Sequence, residues 1–335
     1  MHGVRSMRAA YYERQGKASE VLRLGEFPDP QPAPGEVRVR IHASGVNPSD
    51  IKARTGFSGP AKFPLVIPHQ DGAGVIDAVG AGVADTRIGE RVWLYEAQYQ
   101  RAFGTAAEYA IVPTQQAIAL PDNCSFEVGA CLGVPALTAH RCLFADGELK
   151  GRAVLVHGGA GAVGTAAILL AKWAGAWVAT TVSSPAQAEA ARRAGADIVI
   201  DRWSQDVAKI VRSETNMRGV DRIVDVSLQD NLEIDLQCLA NGGVISAYAV
   251  QTASDHLPLP LLRAMIAGSA FRFVYIYTVP AAAKLAAVSA IGQCLADGAY
   301  APTIGLRLPL ERIVEAHEAQ ESGRVIGKII VTPRG

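Results

Sequence analysis

Residues 153–164 read Ala-Val-Leu-Val-His-Gly-Gly-Ala-Gly-Ala-Val-Gly. A short apolar run, then glycines, then Ala-rich residues to 173 spell a buried strand, a turn and the opening of a helix. Gly159, Gly161 and Gly164 form a G-x-G-x-x-G. In such a loop the first glycine permits the turn, the second lets backbone approach a pyrophosphate, and the third lets helix lie close to strand. The helix N-terminus, with its free N–H groups and positive dipole end, then holds the phosphates. The whole run Gly159, Ala160, Gly161, Ala162, Val163 and Gly164 is therefore expected to bind a dinucleotide.

Outward from this loop the texture is regular. Strands are expected at 153–157, 177–182, 198–201, 221–226 and 243–249, and helices at 163–173, 185–194, 205–213, 231–239 and 259–267. Pro185 stands where a helix accepts proline, behind Ser184 as cap, and Gly175 and Gly195 follow helix ends. Strict alternation implies a parallel sheet with helices on both faces. A sixth strand is expected at 271–279, aromatic and apolar to its end, and such an exposed edge invites pairing with a second copy.

Before residue 128 the pattern is different. Glu36-Val-Arg-Val-Arg-Ile-His42 alternates as a half-buried strand does, and 72–83 and 90–94 read as further strands between Gly- and Pro-rich turns. The strand 328–332 returns to that texture. The expected fold is α/β: a Rossmann doubly wound parallel sheet at 128–279, inserted in a β-barrel-like domain made of 1–127 and 280–335.

Composition narrows the partners. Lys plus Arg number 32 and Asp plus Glu 32, and no basic run stands out, which argues against a nucleic-acid partner. Five cysteines without a C-x-x-C pair argue against a disulfide framework or a tetrathiolate zinc and suit a reducing cytoplasm. No apolar stretch reaches the ~18 residues of a membrane span. The first six residues carry a single arginine and lead into no apolar run, so no secretory leader is expected.

The second strand of the α/β unit bears on which dinucleotide is bound. Strand 177–182 and the Ser183-Ser184 after it end without the acid that holds a ribose 2′-OH in NAD sites. Ser183 and Ser184 offer hydroxyls. Arg202, just past the third strand, suits a 2′-phosphate through its forked donors, while Arg192 and Arg193 read equally as a solvated helix face. NADPH is expected over NADH.

Further motifs follow one another in order: Ser44-Gly-Val-Asn-Pro-Ser-Asp50, Pro68-His-Gln-Asp-Gly-Ala-Gly-Val-Ile-Asp-Ala-Val-Gly80, Gly104-Thr-Ala-Ala-Glu-Tyr109, Gly133-Val-Pro-Ala-Leu-Thr-Ala-His140 and Ile326-Gly-Lys-Ile-Ile-Val-Thr-Pro333. With the glycine loop they resemble the medium-chain dehydrogenase/reductase superfamily, in its zinc-free quinone oxidoreductase branch that includes ζ-crystallin. The resemblance runs over nearly the whole chain and implies that the first domain is GroES-like. The zinc-dependent members of the superfamily hold a catalytic metal through a Cys in the position of Asn47, a His in that of His69 and a second Cys near Val134. Only His69 remains, so no metal is expected, and His69 is expected to have a polar packing role.

The resemblance also implies site residues. Asn47, Asp50 and Lys52 are the expected catalytic set, with Asn47 donating to the acceptor oxygen, Asp50 ordering its neighbours and Lys52 as a donor. Lys52 matters because relatives carry tyrosines nearby, where this chain has Ile51, Phe57 and Ser58. Thr138, Tyr248, Phe273 and Val274 are expected near the nicotinamide, and Lys328 near the phosphates. The expected activity is zinc-independent hydride transfer from NADPH to a quinone by a homodimer. The alternatives are a reductase of α,β-unsaturated aldehydes or ketones, and an NADPH-binding sensor without catalysis.

Overall fold

The computed structural model describes residues 6–57 and 59–334, so Ser58 and the first five residues lie outside the described part. Two units divide the chain, residues 1–134 with 304–335, and residues 135–303.

In the first unit, β1 (Ser6–Tyr11) and β2 (Arg23–Pro28) form an antiparallel ribbon. A seven-stranded sheet combines β3 (Glu36–Val46), β4 (Asp71–Val79), β5 (Arg91–Leu94), β6 (Tyr109–Pro113) and β7 (Ala117–Ala119) with β14 (Ile304–Pro309) and β15 (Lys328–Thr332). Its order is β14-β15-β3-β4-β5-β7, with β6 also on β3. The alternation read in β3 is real: Val37, Val39 and Ile41 are fully buried, while Glu36, Arg38 and Arg40 between them are half-buried. β15 is different, because four of its five residues, Lys328 among them, are buried.

In the second unit, β8 (Ala153–Val156), β9 (Trp177–Val182), β10 (Ile198–Asp201), β11 (Val220–Asp225), β12 (Leu239–Ala247) and β13 (Ala270–Phe273) form one parallel sheet. The order β10-β9-β8-β11-β12-β13 is 3-2-1-4-5-6 within the unit, so the winding reverses between β8 and β11. In open α/β sheets the crevice beyond the strand ends at that reversal receives the ligand. Ser184 caps the helix Pro185–Arg193 by accepting from the Gln187 N–H, and Gly175 and Gly195 take positive φ after their helices, as read from the sequence.

Two expectations change. The sixth strand stops at Phe273; Val274 still donates to the Ala247 carbonyl at 2.8 Å, but a 3-10 turn then occupies Ile276–Thr278 before Pro280. The second boundary falls at 303/304 instead of 279/280, and the first at 134/135 instead of 127/128. The reason lies in the helix Ala281–Ala296, which packs on the helices Leu137–Phe144 and Ala162–Trp173 and buries Ala287, Ile291, Cys294 and Leu295. Burial of an apolar face assigns a helix to the unit that covers it.

Candidate functional site

The glycine loop leaves β8 and opens the helix Ala162–Trp173, with Gly161 as N-cap. The turn itself is made by Gly158, whose φ of +69° is left-handed, so the glycine one place earlier has the role expected of Gly159. Gly159 is needed for a different reason: a Cβ there would stand 2.0 Å from Thr180 Oγ1. A Cβ at Gly164 would stand 2.2 Å from the Gly158 carbonyl oxygen, which is the close helix-to-strand approach read from the motif. Thr165 Oγ1 donates to the Gly159 carbonyl at 3.1 Å and fixes the first turn of the helix from within. Gly161 is exposed, and Ala162 and Val163 are half-buried, so the helix N-terminus is open to a phosphate.

Beyond β9, Ser183 is exposed and Ser184 is half-buried. The exposed Arg202 lays its guanidinium over the Trp203 ring, 4.6 Å from the centroid, and that indole is 72% exposed. Thr138 is buried on the helix Leu137–Phe144. Tyr248 follows β12 and donates its N–H to the Asp225 carbonyl at 3.2 Å. Phe273 is exposed, whereas Val274 is buried.

In the first unit the expected catalytic residues meet a partner that the sequence did not suggest. Lys328, at the head of β15 and 2% exposed, donates from Nζ to Asn47 Oδ1 at 2.5 Å and to Asp71 Oδ2 at 2.9 Å. Asn47 Nδ2 donates to the same Asp71 oxygen at 2.8 Å, and the Val134 N–H donates to Asp71 Oδ1 at 2.8 Å. Gly45 makes room for the lysine, since a Cβ there would stand 2.7 Å from Lys328 Cε. Lys328 is therefore engaged inside this unit with Asn47 and Asp71. Asn47 is 1% exposed, and its amide hydrogen-bonds Asp71 and Lys328 within the unit.

Asp50 belongs to the same centre. It sits on the first turn of the helix Pro48–Thr55 and accepts from the Asn47 N–H at 2.8 Å. Burial, reinforced by the Asp71 charge, pushes its carboxyl up to about 8, so it is protonated at neutral pH. The Lys328 ammonium and one carboxylate then balance. Lys52 stands outside this centre, with its ammonium over the Phe57 ring at 4.4 Å.

A directed chain of hydrogen bonds leads into Asp71 from the other side. Arg54 has only donors, and its Nε–H reaches His317 Nδ1 at 3.3 Å. His317 Nε2 therefore carries the proton and donates to His69 Nε2 at 3.0 Å. His69 Nδ1–H donates to Ser44 Oγ at 2.8 Å, Ser44 to Thr105 Oγ1 at 2.8 Å, and Thr105 to the Asp71 carbonyl at 2.6 Å. Both ends of the chain dictate the same tautomers. Burial lowers His69 to about 3 and His317 well below its ordinary range, so both rings are neutral. His69 also holds a left-handed φ of +82°. Its packing role was legible from the sequence; the partner His317, inside an ordinary amphipathic helix, was not.

This donor set does not fit the superfamily's zinc. Both His69 nitrogens are engaged with neighbours, and the Asn47 oxygen already faces an ammonium.

Comparison with known proteins agrees with the architecture. The chain matches the alcohol dehydrogenase GroES-like domain over residues 33–122 and the zinc-binding dehydrogenase domain over 162–289. A quinone oxidoreductase of Rattus norvegicus is 30% identical over 93% of this chain and 94% of its own. A 2-haloacrylate reductase of Burkholderia sp. is 29% identical over 90% and 92%. Among solved structures, an NAD-dependent alcohol dehydrogenase superposes with a TM-score of 0.87 at 30% identity, covering 98% of this chain and all of that one. A mycobacterial protein complexed with NADPH gives 0.83 at 28% identity, with the same coverage. The two reductase relatives support an oxidoreductase, and the NADPH-complexed neighbour together with the family supports a nicotinamide cofactor. The chain belongs to the medium-chain dehydrogenase/reductase superfamily, in its zinc-free quinone oxidoreductase branch.

Proposed function

We propose that this chain is a zinc-independent quinone oxidoreductase that uses NADPH and works as a homodimer in the cytoplasm. The observation that carries the reading is the glycine loop at the winding reversal of a 3-2-1-4-5-6 sheet, with no acid at the end of β9. Loop N–H groups at Gly159–Gly164 hold the diphosphate, and Ser183, Ser184 and Arg202 face the 2′-phosphate. A bound nicotinamide supplies a hydride to an acceptor that is already electrophilic. Thr138 is proposed for the nicotinamide ribose side, and Phe273 with the carbonyls of Tyr248 and Val274, whose N–H groups are spent within the sheet, for the carboxamide side.

In the first unit, Asn47, Asp71 and Lys328 keep the start of the helix Pro48–Thr55 fixed, and Asp50 and Lys52 are the proton-bearing groups nearest to it. Solvent protonates a quinol anion without their help. A second reading, reduction of an alkene conjugated to a carbonyl, is favoured by the 2-haloacrylate reductase relative. Five free, buried cysteines suit a reducing compartment. The dimer reading rests on β13 as the bare edge of its sheet, beside Leu261, Leu262, Met265, Ile266 and Phe273, all at least 66% exposed.

The test follows NADPH and NADH absorbance with 1,4-benzoquinone, 9,10-phenanthrenequinone and an alkenal. Turnover of the quinones with NADPH preferred supports the proposal, and turnover of the alkenal alone supports the second reading. Tight NADPH binding without turnover of any acceptor points to a sensor and overturns both. A monomer mass in size-exclusion chromatography at micromolar concentration refutes the dimer.

A further inference from the structure

Beneath the glycine loop lies a polar group that the roles above leave unused. His157 follows β8 and Asp225 ends β11, the two strands between which the winding reverses, and Asp235 comes from the helix Leu228–Cys238. All three are buried, at 4%, 0% and 0% exposure, and their donor atoms lie within 4.8 Å of one another. His157 Nε2 is 2.8 Å from Asp235 Oδ1, and His157 Nδ1 is 3.1 Å from Thr181 Oγ1. Thr181 Oγ1 accepts from the Gly158 N–H at 3.2 Å. Asp235 is thus linked through His157 and Thr181 to the residue that makes the phosphate turn.

Asp225 anchors the same region from the other strand. Its Oδ1 accepts from the Ser227 N–H and from Asn231 Nδ2. Asp225 Oδ2 and Asp235 Oδ2 are both buried and have no hydrogen-bond partner. Two neighbouring carboxyls, each with a buried orphan oxygen, do not both stay ionised; one proton between them satisfies both.

We propose that Asp235, sharing one proton with Asp225 and acting through His157, is a positioning residue for the phosphate loop, and that dinucleotide binding is linked to uptake of that proton. The inference rests on the nucleotide reading of the loop. With the proton lost, two buried carboxylates face at most one cation, His157, beside the turn that must receive a diphosphate, and a net negative charge is left there. An anion arriving above the loop therefore draws a proton from solvent onto the carboxyl pair. Burial and the Asp225 charge push Asp235 up to about 7, inside the working range of a cytoplasmic enzyme. Burial opposes a charged His157, but the Asp235 and Asp225 carboxylates outweigh it and raise His157.

Arg202 beyond β10 opposes the His157 charge, and Tyr248 beyond β12 faces Asp225. Cys238, on the helix of Asp235, is itself near Arg212 and Asp206 of the adjoining helix. Burial pushes the Cys238 thiol up to about 12 and raises the Tyr248 phenol, so neither titrates near neutrality.

The experiment measures NADPH and NADH binding by fluorescence from pH 6 to 8.5 for the wild type, Asp235→Asn and His157→Gln, with calorimetry in two buffers of different ionisation heat. One proton taken up raises Kd by at most about tenfold per pH unit. The wild type is expected to lose about three- to tenfold in affinity for both dinucleotides across the range and to take up protons in calorimetry. NADH controls for ionisation of the 2′-phosphate. Asp235→Asn, which carries its protons permanently, is expected to bind with the wild type's low-pH affinity throughout, and its effect falls on KM for the dinucleotide. His157→Gln is expected to bind more weakly at every pH.

A pH dependence that survives unchanged in Asp235→Asn overturns the proposal, as does calorimetry without buffer dependence. Stabilisation of the wild type but not of Asp235→Asn by micromolar Mn2+ or Zn2+ overturns it in favour of a metal site. Failure of the wild type to bind either dinucleotide at any pH overturns the nucleotide reading instead. Melting without ligand then still decides the shared proton: the wild-type Tm falls from pH 6 to 8, and that of Asp235→Asn falls clearly less over the same range, an unchanged fall counting against the proton.

Discussion

Replacing Lys328 by Met removes the one cation from a buried centre and keeps most of the side chain's volume. Lys328 is 2% exposed and Asp71 0%, so water cannot take over the ammonium's work. Asp71 keeps bonds from Asn47 Nδ2 and the Val134 N–H, but its charge loses its counter-ion, and Asn47 Oδ1 loses its donor. Breaking a buried pair by removing one partner costs about 3–5 kcal/mol. For a unit of this size each kcal/mol lowers Tm by about 2–4 °C, so Lys328→Met is expected to melt about 6–20 °C below the wild type. Trp93, fully buried in the same unit, makes fluorescence a suitable probe beside circular dichroism. The partner variant Asp71→Asn is expected to be destabilised comparably, and the double variant by clearly less than the two together, because no unpaired charge is left. The deficit persists in 0.5 M salt, since screening does not reach a dry pair. A Tm within about 1 °C of the wild type, or strict additivity in the cycle, refutes the reasoning.

Three further outcomes follow from the same geometry. Asp50 binds a proton in the folded state that the unfolded chain releases in the ordinary carboxylate range, so it makes stability fall as pH rises from about 4 to about 8; urea titrations of Asp50→Asn are expected to show a smaller fall over that window. A methyl at Gly164 would stand 2.2 Å from the Gly158 oxygen, so Gly164→Ala is expected to weaken NADPH binding at least tenfold in a fluorescence titration. Neutral buried His69 and His317 make stability fall as pH drops from about 6.5 towards 3, and His317→Leu, which leaves Arg54 Nε and His69 Nε2 without partners, is expected to lose about 2–4 kcal/mol at pH 7 in urea unfolding.

The parallel sheet was legible because its first five strands are short runs set off by their own punctuation, such as Ser184-Pro185 after the second or Gly195 before the third. Two features escaped for tertiary reasons. The Ala-rich helix Ala281–Ala296 announces an apolar face, but which unit covers it depends on packing partners distant in sequence. Lys328 in Gly-Lys was expected near the phosphates on the resemblance alone. A signal was present: Lys-Ile-Ile-Val-Thr has no polar alternation, and a lysine heading a strand buried on both faces needs an anion. The anion it found is Asp71, which heads the equally apolar Asp-Gly-Ala-Gly-Val-Ile. Their pairing joins residues 257 positions apart, which no local pattern encodes. The Arg54–His317–His69 chain was hidden for the same reason.

That chain has a grammar. Because Arg54 cannot accept and the Asp71 carbonyl cannot donate, every group between them must pass a hydrogen in one sense only. Each interior position must be able to give and to take at once, which admits Ser or Thr at 44 and 105 and imidazole at 69 and 317, but no purely donating or purely accepting side chain. The constraint is collective: a drifting sequence cannot alter one word without disordering the sentence, unless both ends are rewritten together. A redesign that exchanges Arg54 for an acceptor would have to reverse four side chains and find a donor for the far end.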